Sequence, residues 1–269
     1  DNLIGFINRT IDELNQGDLS FINDLIVENN INYDSDNITE IGDQLWNEVG
    51  ELAELRMNNF DLLTIPSSIQ NLSNINTLDF SHNSITSVPE GIGYLDNLTY
   101  LDMSYNSIDT VHPNAFWFLE NLDYIDLSNN SIQELPLSYS TIHPDTAILS
   151  NNELSSIGNF HGGNTDISYV DLSNNQITTV GDLSYQSLDV SHNYLNSMQS
   201  IRGGFINASY NNISNLNYSE GLNDILSLNL DHNNISEISD SIGFYQYLVS
   251  LKISNNQLQE LPVALAILD

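Results

Sequence analysis

The sequence predicts an α/β solenoid, a right-handed arc with a parallel β-sheet on its concave side and a helical cap at its N-terminus. Three observations predict it. The stretch Leu122 to Leu135, LDYIDLSNNSIQEL, reduces to L-x-x-I-x-L-x-x-N-x-I-x-x-L, and this template returns every 18 to 24 residues from about Glu28 onward. Such units bury their apolar faces only against their neighbours, so fixed-period self-similarity outranks any local reading. The x-L-x-L part alternates with the period of a short strand, one side inward and one outward. Finally, one asparagine holds its place in nine successive units: Asn83, Asn106, Asn130, Asn152, Asn175, Asn193, Asn211, Asn233 and Asn256. At the turn off a strand, its amide can both donate to and accept from backbone groups that burial would leave unpaired. The nine side chains are expected to form an internal structural ladder.

Residues 1–27 lack the repeat. Leu3, Ile4, Ile7, Ile11 and Leu14 fall at helical spacing with Gly17 placed to end that helix, and Leu19, Ile22, Leu25 and Ile26 follow at similar spacing. This segment is expected to cover the open end of the core. A membrane-surface helix would want a basic polar face, whereas this one carries Asp12 and Glu13 against a single Arg9.

The array occupies 28–269 as eleven repeats, starting near 28, 52, 75, 98, 122, 144, 167, 185, 203, 225 and 248. Its first repeat is degenerate, with Ile31, Tyr33, Ile38, Ile41 and Leu45 at the apolar sites and Asp36 in the asparagine place; Phe60 takes that place in the next, where a ring can pack instead. Repeats of 23 or 24 residues have room for a helical or 3₁₀ turn on the convex side. The two beginning at Ile167 and Tyr185 have only 18, so their return should be nearly extended and the arc flatter there. Gly162-Gly163 and Gly203-Gly204 are expected to make tight turns beside them. The last repeat presents Leu258, Leu261, Pro262, Leu265 and Leu268. Ending in its own pattern, it is expected either to continue into further chain or to dock on another copy or another protein.

These motifs resemble the leucine-rich repeat family, over roughly nine-tenths of the chain. The resemblance implies a protein-binding role carried by the concave sheet, without catalysis. The residues agree: there is no G-x-S-x-G, H-E-x-x-H, phosphate loop or cysteine nucleophile.

Charge narrows the partners. Asp plus Glu number 36 against 4 Lys plus Arg, a net of −32. So negative a surface repels nucleic acid and anionic lipid and favours cations or basic proteins. Cysteine is absent, which excludes disulfide closure and thiolate metal sites. No apolar run approaches the roughly 18 residues that span a bilayer, so direct membrane insertion is not expected. The charge suits an extracellular or cell-surface protein in salty or calcium-rich medium; the cytoplasm of a halophile is the alternative.

Register then lists the outward-facing residues. Between the two core positions of each strand stand Arg56, Asp79, Asp102, Asp126, Ile148, Asp171, Asp189, Asn207, Asn229 and Lys252. Two positions earlier come Tyr100, Tyr124, Tyr169 and Phe205 among Ser and Thr; three positions later come His82, Tyr105, Asn129, Tyr210, His192 and His232. Neighbouring carboxylates one strand apart, at ~5 Å, repel by roughly 3 kcal/mol before screening at an effective dielectric of about 20. Hydroxyl donors, bound cations or a basic partner should offset this. No cofactor is expected. Calcium is the candidate ion, although DSDNITE at 34–40 lacks the glycine of a calcium loop and the three histidines do not form a shared site. The expected function is a recognition or adhesion module binding a protein, a basic one or another copy of itself, through His82, Tyr100, Asp102, Tyr105, Tyr124, Asp126, Tyr169, Asp171, Asp189, His192, Phe205, Tyr210 and His232. The alternatives are a structural subunit that stacks end to end with calcium's help, and an intracellular scaffold.

Overall fold

A computed structural model describes residues 11–33, 35–157, 167–180, 183–198, 201–216 and 224–267. Eleven strands form one sheet in chain order, so each unit lies beside the next. From Leu52–Arg56 onward every neighbouring pair is parallel. The apolar template residues merge into one continuous core, with Leu55, Leu78, Leu101, Ile125, Ala147 and Val170 fully buried in successive strands.

The asparagines join the coils. Asn83 Nδ2 donates to the carbonyls of Met57, Phe80 and Ser81 at 2.8–3.1 Å, while its Oδ1 accepts from the N–H groups of Phe60 and Leu62. The same links recur down to Asn256, which donates to Leu230 and Ile253 and accepts from Ile235. Phe60 is partly buried against the core and supplies a backbone donor to this ladder.

On the opposite side of the coils the longer repeats return through 3₁₀ turns at Ser67–Asn71, Glu90–Tyr94, Leu137–Thr141 and Asp240–Phe244. Proline precedes the first three, with a backbone angle already suited to entering a turn. Where the repeat shortens to 18 residues the strands lengthen instead, to seven residues each at Leu183–Asp189 and Ile201–Asn207. Gly203 and Gly204 therefore lie inside a strand, not in the expected turn. A side chain on Gly203 would place Cβ 2.5 Å from the Tyr185 carbonyl of the neighbouring strand, so glycine is there for close approach. The other expected glycine turn, Gly162-Gly163, is outside the described residues.

The N-terminal end differs most from expectation. Gly17 does not end a helix; it sits in the first turn of α1 (Gln16–Glu28), where Asn15 Oδ1 caps the N–H groups of Gly17 and Asp18. Phe21, Ile22 and Leu25 of this helix are fully buried. The segment read as a degenerate first repeat is not a parallel coil: Asp43–Trp46 runs antiparallel to Leu52–Arg56, through a turn in which Gly50 takes φ 85°. Leu45, expected in the core, is exposed. Paired antiparallel at the edge of the sheet, this strand ends the array as a hairpin instead of adding a further coil.

Candidate functional site

Strand register sets the outward rows. Arg56, Asp79, Asp102, Asp126, Ile148, Asp171, Asp189, Asn207, Asn229 and Lys252 stand directly beside one another across ten strands. Tyr100 pairs with Tyr124 and, beyond Thr146, comes Tyr169; Phe205 lies further along the same row.

The aspartates are held by their own turns. Ser81 donates to Asp79 Oδ1 from both its backbone N–H and its hydroxyl, at 2.9 and 2.6 Å. Ser104 does the same for Asp102, and Ser191 for Asp189. Backbone N–H groups of Ser128 and Ser173 reach Asp126 and Asp171. One oxygen of each carboxylate thus closes the local turn, which is the structural reason for D-x-S. The second oxygen is directed elsewhere: Tyr100 and Tyr124 hydroxyls approach Asp102 and Asp126 at 3.5 and 3.4 Å, and Asn207 Nδ2 donates to Asp189 at 2.8 Å. Hydroxyls and amides therefore supply part of the expected offset to carboxylate repulsion. Arg56 contributes little, because its guanidinium pairs with Glu54.

Tyr100 and Tyr124 stack with ring centroids 4.6 Å apart and planes 4° from parallel. Burial, then the carboxylates around it, pushes the Tyr100 phenol up to about 12, and the same two causes raise Tyr124 further. Both hydroxyls remain proton donors at any physiological pH. Burial also raises Asp126, against the lowering effect of its Ser128 bonds.

A second row runs along the turn that leaves the strand. Asn59, His82, Tyr105, Asn129, Asn151, Asn174, His192, Tyr210, His232 and Asn255 all adopt φ between 53° and 61°. This left-handed backbone is uncommon for any residue but glycine, least so for Asn and His, and is an outlier for Tyr. It aims each N–H at the next coil: His82 donates to Ser104, Tyr105 to Ser128 and His192 to Ser209 at 2.9–3.0 Å. Side chains so displayed meet face to face. His82 stacks on Tyr105 at 4.4 Å, and Tyr210 is sandwiched between His192 and His232 at 4.2 Å on each side. The sequence placed these rings in one register; that His and Tyr alternate in adjacent repeats was the available sign that they stack.

The expected aromatic residues therefore meet within rows: Tyr100 stacks on Tyr124 in the strand row and His82 on Tyr105 in the turn row towards one end, and His192, Tyr210 and His232 stack in the turn row towards the other, where Phe205 stands in the strand row. Asp171, Asp189 and Tyr169 lie between these groups in the same register. Among the described residues, no set of three or more His, Asp or Glu converges as a metal site, and no helix is long and apolar enough to cross a membrane.

Comparison with known proteins agrees with the geometry. Residues 73–132 match the family model described as leucine rich repeat. No curated protein sequence matches the chain. Among solved structures, a plant ice-binding protein aligns with TM-score 0.69 at 22% identity, over 93% of this chain and 90% of its own. A chain of the LRIM1/APL1C complex aligns with TM-score 0.65 at 21% identity, over 77% of this chain and 40% of its own. A chain of the TLR13–ssRNA13 complex gives 0.61 at 22% identity, over 77% and 33%. Identities this low speak for the fold. With the family match at residues 73–132 inside it and the same strand, turn and asparagine repeated in register around it, the chain has the leucine-rich repeat fold.

Proposed function

We propose that this protein is a non-enzymatic recognition module, outside the cell or on its surface, that binds a protein partner carrying basic residues through the concave face of the sheet. The observation that carries this reading is the outward row of aspartates, each fixed through one oxygen by its own turn, beside stacked tyrosines. Carboxylates held this way lose little conformational freedom on pairing with Lys or Arg, and tyrosines are among the residues that most often carry interface energy. The net charge of −32 would steer a basic partner inward and repel a nucleic acid backbone.

Selecting a random peptide library on the protein tests this. The reading expects ligands enriched in Lys and Arg. Tyr100→Ala, Tyr124→Ala and Tyr169→Ala together should weaken them about tenfold or more with little change in the unfolding midpoint. Ligands with no basic enrichment, or indifferent to the triple substitution, would overturn it.

One observation favours a second reading. Just beyond the asparagine ladder, paired small uncharged residues recur in four successive repeats: Ser155-Ser156, Thr178-Thr179, Asn196-Ser197 and Ser214-Asn215, all exposed except the half-buried Ser197. The same edge is paired in register on either side of these repeats, Ser87 with Thr110 before them and Asn215 with Glu237 at their end. Strand-spaced hydroxyls and amides make a regular water-ordering rank, and the plant ice-binding protein shares nearly the whole solenoid. This reading expects the protein to slow ice recrystallisation and Thr178→Lys with Thr179→Lys to abolish the effect; no slowing by the unaltered protein rejects it.

A further inference from the structure

The convex side carries a feature that the repeat does not require. Between the turn Glu90–Tyr94 and the equivalent turn of the next repeat lies a pocket of about 190 Å³, lined by Gly93, Tyr94, Asn114, Trp117 and Phe118. Its three aromatic side chains are each about half exposed, although the positions they occupy face away from the core. Tyr94 and Phe118 stand with ring centroids 5.9 Å apart and planes tilted by 31°, forming a partly open wedge. Gly93 lets the two turns approach closely, since a side chain there would collide with the Asn114 carbonyl.

Bonded to two of these lining residues, though not itself lining the pocket, is the exposed carboxylate of Glu90. Asn114 Nδ2 donates to Glu90 Oε1 at 2.9 Å and the Tyr94 hydroxyl donates to the same oxygen at 3.2 Å. Hydrogen bonding by Asn114, foremost, holds the Glu90 carboxyl below its ordinary range. His112 Nε2 lies 4.0 Å from the other oxygen. Two lining residues thus tie the pocket to a negative charge.

We propose that this pocket binds an alkylammonium group, the head of a small quaternary amine or the end of a lysine or methylated lysine side chain. Three observations carry it. Ring faces attract a cation through their quadrupole, and the attraction grows as the cation is desolvated. The pocket has room for one compact head group and little more. Glu90 adds a fixed charge, and the overall negative field concentrates cations while excluding anionic ligands. A neutral sugar would also stack on aromatic rings but would gain nothing from the field, so it serves as the counter-test.

Calorimetric titration of the whole protein separates these outcomes, with choline as free cation, a short neutral peptide bearing one trimethyl-lysine, 3,3-dimethylbutan-1-ol as the uncharged isostere, and glucose. Choline or the peptide should bind saturably, and the isostere about tenfold more weakly. The tighter of the two cations identifies the source of the head group. Trp117→Ala and Phe118→Ala should each weaken binding severalfold, Trp117→Phe should restore part of it, and Glu90→Gln should weaken cation binding only. Equal affinity for choline and its isostere, binding of glucose but of neither cation, or unchanged binding in Trp117→Ala would overturn the proposal. The pocket and the sheet face lie on opposite sides of the coils, so failure here leaves the concave-face reading untouched.

Discussion

Asn193→Ala should lower the stability of the protein by about 3–4 kcal/mol. Asn193 donates to the carbonyls of Leu172, Val190 and Ser191 at 2.9–3.2 Å and accepts from the Ile177 N–H at 2.9 Å. It is 5% exposed, so water cannot readily replace these bonds. Alanine removes both roles at once, leaving a buried donor and several carbonyls short of partners; such loss costs about 1–3 kcal/mol per orphaned group. Asn193→Asp should be no better, since a carboxylate keeps the acceptor and loses both donor hydrogens. Asn256 serves the same ladder but donates partly to exposed backbone, so Asn256→Ala should cost only about 1 kcal/mol. Urea unfolding of the three variants checks this ordering. Equal losses at 193 and 256 would mean that the ladder does not depend on burial.

The second large effect concerns pH. Asp18, in the N-terminal helix, is buried, and one oxygen accepts the Leu52 N–H at 2.7 Å. Burial, only partly countered by that bond, raises its carboxyl to about 6. The unfolded chain releases this proton near pH 3.9. Between those values the folded state holds a proton that the unfolded state has lost. Asp18 therefore makes stability fall as pH rises from about 4 to about 6, and the penalty is complete above it, at roughly 3 kcal/mol by linkage. Asn keeps the acceptor for Leu52 without the charge. The stability of Asp18→Asn relative to the unaltered protein should thus climb by about 2–3 kcal/mol from pH 4 to pH 7. Taking the difference cancels the repulsion among the other acids, which both proteins share. A flat difference would show that Asp18 is solvated.

Period and register were legible in the sequence because they follow from spacing alone. Leu122, Ile125 and Leu127 recur at fixed intervals, and parallel pairing one repeat apart makes neighbours of residues such as Asp79, Asp102 and Asp126. The hairpin at Asp43–Trp46 was not legible, since a degenerate coil and a capping strand have the same alternation and only the pairing partner separates them. Gly203 misled for a related reason: glycine serves both turns and close strand approach, and only the Tyr185 carbonyl beside it decides. At the candidate face, the sequence showed which side chains share a row. It did not show that D-x-S ties down one oxygen of each aspartate, because that depends on the serine hydroxyl's direction. Nor did it mark Tyr94, Trp117 and Phe118, which belong to the return segment rather than to the template.

In the proposed function, the outward face of the sheet is what a partner touches. The most direct test places a photo-crosslinking amino acid at Tyr124, on that face, and separately at Leu137, 88% exposed on the opposite side of the coils. Each protein is then irradiated with the selected basic ligands and with a native cell-surface fraction. Adducts from position 124, suppressed by excess unlabelled ligand and weak or missing from 137, are the predicted result. Adducts from 137 with none from 124 would contradict it.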